Sequence, residues 1–319
     1  MAEFDRRLWK IGLDSLQRLT SETVENWWKD LLRCWRVSGA PSGEHGLRLA
    51  IRNGYLNFYR KGQSVARISQ ARDGRPVVDV HLKFVDKDAT QQGYARLAGN
   101  EILRGPDRQP LAYCGRDTLL QWIAAAEEWA GCEKKSVDLV VGCNPEVIDL
   151  EMGLPAYGPR KSALRMDIVA LERANDLLQI VFWGAKTIDD SRLRARDFRP
   201  DESPKILKQI KDYRDFMSDP AREKSVTDGY RRACATLCRL HEMARAVVPI
   251  EDLAPVVREA AASHSSLSVD PTPRLVVFAS DDPASRSWPE HEAKLRSAGV
   301  NLLIRNPNTC RFSEFEAGA

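Results

Sequence analysis

Val24, Trp27, Trp28, Leu31, Leu32 and Trp35 recur at three-to-four spacing, and the chain reads as two helices over residues 5–19 and 21–37. The breaker run Ser38-Gly39-Ala40-Pro41-Ser42-Gly43 ends the pattern. Alternation of period two takes over next. Leu47 to Arg52 and Tyr55 to Arg60 flank Asn53-Gly54, a dipeptide that marks a hairpin. Lys61-Gly62 and Asp73-Gly74 punctuate two further strands, Ser64 to Ser69 and Val77 to Phe84, so residues 45–86 are expected to form an antiparallel meander. A helix over 117–131 follows, with Leu119, Leu120, Ile123, Ala126 and Trp129 on its apolar side.

The second half is patterned differently. Val137 to Val141 is a short apolar run, read as a strand or part of a helical linker, and Pro145 to Met152 has a helical pattern. Leu164 to Glu172 and Leu177 to Thr187 are apolar strands joined by the turn-forming Arg173-Ala174-Asn175-Asp176. Ser203 as N-cap and Pro204 as first helical residue start a helix that runs to about Met217. Helices near 221–246 and 251–263 come next, then a Ser-rich loop over 262–273. Arg274 to Ser280, a helix over Pro289 to Ser297 and Val300 to Arg305 make a strand–helix–strand unit with parallel strands.

The 319 residues, 43% apolar and 29% charged, have the balance of a soluble globular protein of about two domains. The change of pattern places them at 1–130 (helices and meander) and 131–319. A net charge of +3 is too small for a global field to attract nucleic acid, so any such surface must come from local clustering. No apolar run approaches the roughly 18 residues of a membrane span, and the charged start Met1-Ala2-Glu3-Phe4-Asp5-Arg6-Arg7 lacks the core of a secretory signal. A cytoplasmic protein is expected, with no membrane partner. The seven cysteines contain no C-x-x-C pair and read as reduced thiols. Neither the dispersed histidines nor any G-x-x-x-x-G-K-[ST] run supplies a metal or ATPase signature.

One acid stands out. Asp167 interrupts an apolar strand, where a carboxylate needs a partner. On the next strand Gly184 and Lys186 share a face. Gln209 and Tyr213 lie one helical turn apart, on one face of the helix that follows. Taken together, Arg165-Met166-Asp167, Gly184-Ala185-Lys186 and Gln209-Ile210-Lys211-Asp212-Tyr213 resemble the PD-(D/E)XK nuclease superfamily, in its RecB-type branch. Ile148-Asp149-Leu150-Glu151 looks like the first motif of that family, on a helix, and the likeness covers about residues 137–305.

The resemblance implies an α/β, restriction-endonuclease-like core, a mixed sheet flanked by helices, behind an N-terminal helix and β-meander domain. It implies hydrolysis of DNA phosphodiesters in repair, restriction or phage defence. Asp167 and Glu151 would hold Mg²⁺ or Mn²⁺, Lys186 would orient water or neutralise charge, and Gln209 and Tyr213 would support the site. DNA is the implied partner, with a helicase/ATPase or other defence-system subunit to open strands; a homo-oligomer is compatible with it. Arg192, Arg194, Lys205 and Lys208, with Arg196, Arg199, Lys211 and Arg214, flank the site as candidate phosphate contacts. Arg48, Arg52, Arg60, Lys61, Arg67, Arg72 and Arg75 in the meander, with Tyr55, Phe58 and Tyr59, form either a second nucleic-acid surface or a solvated face around packed aromatics, and the alternating aromatics favour the latter.

The departure is Gly184, where the family carries Glu or Asp. Glycine offers no ligand, so the expectation divides between a metal-dependent deoxyribonuclease and a disabled nuclease domain that binds DNA or a partner without cutting. Asp189 and Asp190, just beyond Lys186, are the nearest substitute acids, and Glu172 lies at the far end of its strand.

Overall fold

Two sheets share one interior. The computed structural model describes residues 3–8, 12–86, 92–158, 163–174, 177–194, 204–263, 265–279, 287–305 and 310–312. Helices α1 (Leu13–Ser21) and α2 (Trp27–Cys34) are shorter than the apolar spacing suggests, since residues 3–8 are not helical and Val24 is exposed. Asn26 caps α2 by accepting from the Lys29 N–H.

The meander is longer than residues 45–86. Strands β1 (Arg48–Arg52), β2 (Tyr55–Arg60), β3 (Gln63–Gln70), β4 (Pro76–His81), β5 (Tyr94–Ala98), β6 (Glu101–Leu103) and β7 (Leu111–Ala112) form one antiparallel sheet in chain order. A short helix, α3 (Leu82–Val85), replaces the predicted end of β4. The β2–β3 turn has Lys61 at φ 45° and Gly62 at φ 75°, the left-handed pair that two-residue hairpins favour. Helix α4 (Arg116–Glu128) packs its buried Leu119, Trp122 and Ile123 against this sheet.

Helix α5 (Cys132–Cys143) takes in the 137–141 run, which is not a strand. The stretch expected to be helical over 145–152 is instead strand β8 (Val147–Leu154). Its apolar residues show no period of two because both faces are covered, Ile148 facing one core cluster and Val147 another. Strands β9 (Leu164–Ala174) and β10 (Leu177–Thr187) pair antiparallel as expected, although Asn175 and Asp176 of their turn lie outside the described residues.

Helix α6 (Lys205–Met217) has Pro204 at its N-cap position, and Ser203 also lies outside the described residues. Helices α7 (Pro220–Arg245) and α8 (Pro255–Ala261) follow, and the predicted Ser-rich loop contains strand β11 (Leu267–Val269). Strand β12 (Arg274–Phe278), helix α9 (Trp288–Ser297) and strand β13 (Leu302–Arg305) form the expected parallel crossover. The second sheet therefore runs β13-β12-β10-β9-β8, with β11 added to β10. The fold is α/β, one sheet antiparallel and one mixed.

The boundary at 130/131 separates the sheets but not their cores. One apolar cluster runs from Phe4 and Phe58 through Ile123 to Val169, Phe182 and Tyr230. Three arginines of the meander are buried rather than solvated, Arg48 and Arg52 in this junction and Arg60 against α4. Arg48 meets Asp138 at 3.1 Å, Arg52 meets Asp149 at 2.5 Å, and the Arg60 Nε donates to Glu127 at 2.9 Å. Asp149 also accepts from Arg6 at 3.0 Å and from the Tyr230 hydroxyl at 3.1 Å, which resolves a buried charge into a shared network. The cysteines are not all free thiols, because Cys143 and Cys310 form a disulfide. No described helix is long and apolar enough to cross a membrane.

Candidate functional site

The β9–β10 ladder brings Asp167 and Lys186 together. Its last pair in this direction is Trp183 with Ile168, and one step further Asp167 reaches across to accept the Ala185 N–H at 2.7 Å. The same carboxylate oxygen receives the Lys186 ammonium at 3.1 Å. Lys186 is 2% exposed, so this charge is neutralised inside the protein. Burial pushes the Asp167 carboxyl upward, but Lys186, Lys134 and the Ala185 N–H outweigh it and hold the group below the usual range.

A second amine enters from α5. The Lys134 ammonium lies 3.4 Å from the other Asp167 oxygen and also binds the Glu151 carboxylate. Glu151 sits on β8, on an edge where Leu150 pairs with Ile168 and Met152 with Met166, so it stands across from Asp167. Its φ of 52° is left-handed, a conformation that costs a non-glycine residue about 1–3 kcal/mol and persists only where the surroundings impose it. Burial raises the Glu151 carboxyl above its ordinary value despite Lys134. Lys134 is itself held above its ordinary range, since Glu151 and Asp167 overcome the effect of burial.

Glu133 completes the cluster. Its carboxylate is 3.9 Å from Lys186 and 3.5 Å from Arg192, while Arg192 is held by Asp190. Four acids thus share three cations in a half-buried cluster that keeps Asp167 13% and Glu151 19% exposed at their side chains. Such a set binds water and polar groups in defined positions and leaves little unbalanced charge.

Gly184 faces the same side as Lys186, and a Cβ there would touch only Leu275 Cδ1 at 3.4 Å and the Arg274 carbonyl at 3.9 Å. A Cβ at this position meets its neighbours at ordinary contact distance. The donor set as arranged does not fit a divalent cation, which needs several oxygens free to face it. The space between Glu151 and Asp167 is taken by Lys134, and among the described residues no group of three His, Cys, Asp or Glu is arranged to hold a metal. Neither substitute acid changes this. Asp189 is exposed, and Asp190 caps the turn at Ser191–Leu193 through the Arg192 N–H at 2.8 Å. Glu172 binds Arg274 at 2.6 Å, five residues along β9.

The remaining predicted residues divide. Glu151, Asp167, Gly184 and Lys186 converge, although Glu151 arrives on a strand and not a helix. Gln209 reaches the strand of Asp167 but donates to the Arg165 carbonyl at 3.0 Å. Tyr213 is sunk in the core against Phe182 at 5.1 Å between ring centroids, and its hydroxyl has no hydrogen-bond partner among the described residues. Arg192 belongs to the cluster. Arg194 binds the Ile188 carbonyl at 2.9 Å and Ser287. Lys205 and Lys208 are exposed on α6, Lys208 near Asp212 at 3.4 Å. Arg196 and Arg199 lie outside the described residues.

Glu133 and Lys134 escape the sequence reading. They open a charged run, Glu133-Lys134-Lys135, which looks like any solvated first turn, and only the packing of α5 on the second sheet turns them inward. Comparison of the chain with protein-family models, curated proteins and solved structures returns no match.

Proposed function

We propose that this chain is a nucleic-acid-binding module with a restriction-endonuclease-like core of the PD-(D/E)XK kind, whose phosphodiester hydrolysis is switched off as the residues stand. One observation carries the reading: Asp167 and Lys186 meet at 3.1 Å on adjacent strands, with glycine at the position that should supply the second acid. Binding is supported by the basic side chains beside them. Arg165 on β9 and Lys205, Lys208, Lys211 and Arg214 on α6 are exposed, and Gln209 ties α6 to β9 between them. Phosphates on this face would compete with Asp212 and Asp215, which pair Lys208 and Lys211 at 3.4 Å and 2.6 Å. By the resemblance, such a module works in DNA repair, restriction or defence against phage.

The test is fluorescence anisotropy with labelled single-stranded and duplex DNA, followed by electrophoresis after incubation with Mg²⁺ or Mn²⁺. Salt-sensitive binding with intact DNA is expected. Cleavage by the unaltered chain overturns the reading, and so does absence of binding at low salt, which leaves a partner-binding subunit. A second reading, an active Mg²⁺-dependent deoxyribonuclease, uses Glu151 and Asp167 on adjacent strands as two hard oxygen donors and requires Lys134 to move from between them. It predicts cleavage without any substitution.

A further inference from the structure

We infer that the Lys134 ammonium is a built-in substitute for a divalent ion: it holds the Glu151 and Asp167 carboxylates together, and an ion enters between them only if Lys134 leaves. The inference rests on the proposed nuclease-type reading of this cleft, but its observations concern Lys134 alone.

Three features set this lysine apart from a surface ion pair. It bridges acids from two different strands, with Glu151 bound directly and Asp167 at 3.4 Å, where a surface pair joins one acid to one base. Glu151, the residue that Lys134 binds, has a left-handed backbone, and a strained residue in a ladder persists only where its surroundings impose it. The stem of Lys134 is also enclosed by the meander. A Cβ built at Gly62 would lie 2.8 Å from Lys134 Cδ and 3.0 Å from its Cβ, so only glycine in the β2–β3 turn leaves room for the lysine to pass.

The turn is itself fastened. Arg60 and Lys61 both bind Glu127 of α4, which fixes the hairpin tip over α5. The N-terminal sheet thereby lies against the Lys134 stem on the side away from its carboxylates. A doubly charged ion at the same place would sit within a few ångströms of two ammonium groups, Lys134 and Lys186, and their repulsion opposes entry.

The probe is Mn²⁺ alone, followed by the electron paramagnetic resonance signal of the free ion, with no DNA present. Failure of this inference is thus distinguishable from failure of the DNA-binding reading. The unaltered chain is expected to leave the Mn²⁺ signal unchanged. Lys134→Met, which keeps the stem and removes the charge, is expected to bind one Mn²⁺ on the order of tenfold or more tighter. Adding Asp167→Asn to it should abolish that gain. Binding of Mn²⁺ by the unaltered chain overturns the inference however the variants fold, and so does a Lys134→Met chain that keeps the native circular dichroism and binds no more than its parent.

Discussion

The Lys186 ammonium lies 3.1 Å from the Asp167 carboxylate, buried beneath a strand end whose Ala185 N–H binds the same oxygen. Removing the acid strands the base. Asp167→Ala is expected to cost about 3–5 kcal/mol of stability, the range for breaking a buried pair from one side, as measured by urea unfolding. A loss below about 1 kcal/mol would mean that Lys186 reaches water or another acid.

The same cluster predicts an acid limb of stability. Asp167 is held low, so the unfolded chain binds its proton more tightly and the stabilisation, complete above the unfolded value of about 3.9, is lost as pH falls through the folded value. Glu151 is raised and works in the opposite sense, weakening the fold as pH climbs above its unfolded value of about 4.3. In denaturant titrations from pH 3 to pH 7, Asp167→Asn should lose ground to its parent as pH rises, and Glu151→Gln should gain on it.

Arg52 in the meander is expected to be a structural peg. It is 6% exposed and joins β1 to Asp149 and to the Leu150 carbonyl of the other sheet. Arg52→Ala should lower stability by about 3–5 kcal/mol, whereas Arg72→Ala, in the exposed β3–β4 turn, should stay within about 0.5 kcal/mol. Equal effects in thermal melts would contradict the junction described.

That contrast shows where the sequence is legible. The hairpin at Asn53-Gly54, the paired strands β9 and β10 and the parallel crossover β12–α9–β13 can be read from period and local chemistry, and the resemblance implies the Asp167/Lys186 pairing. The β8 strand cannot, because burial on both faces removes the alternation that marks a strand. The partners of Asp149 stand 143, 97 and 81 residues away along the chain, so its burial is invisible locally. Arg48, Arg52 and Arg60 look like surface charges for the same reason. Lys134 escapes notice because nothing near it in the chain signals that Gly62, in another sheet, leaves room for its stem.

Gly62 offers a test of that path. An alanine there takes on a left-handed φ of 75° and collides with the Lys134 stem, so Gly62→Ala should destabilise the chain by about 1–2 kcal/mol. If Lys134 is pushed out, Mg²⁺ should raise the melting temperature of the variant while leaving that of its parent unchanged. A Gly62→Ala chain as stable as its parent would show that the turn does not confine the lysine.

The basic face of α6 is open to direct measurement. Replacing Lys205 and Lys208 by Ala should weaken DNA binding for every sequence tried and reduce the slope of log affinity against log salt by about 1 for each phosphate no longer neutralised. An unchanged slope would move the DNA path away from α6.

The central claim, that this cleft is a phosphodiester-cleaving site lacking its motif acid, is tested most directly by DNA cleavage with the Gly184→Glu, Lys134→Met double variant in Mn²⁺. The account predicts nicked or degraded DNA from this variant, none from the unaltered chain, and none once Asp167→Asn is added. A double variant that keeps the native circular dichroism yet leaves single-stranded and duplex DNA intact would contradict it.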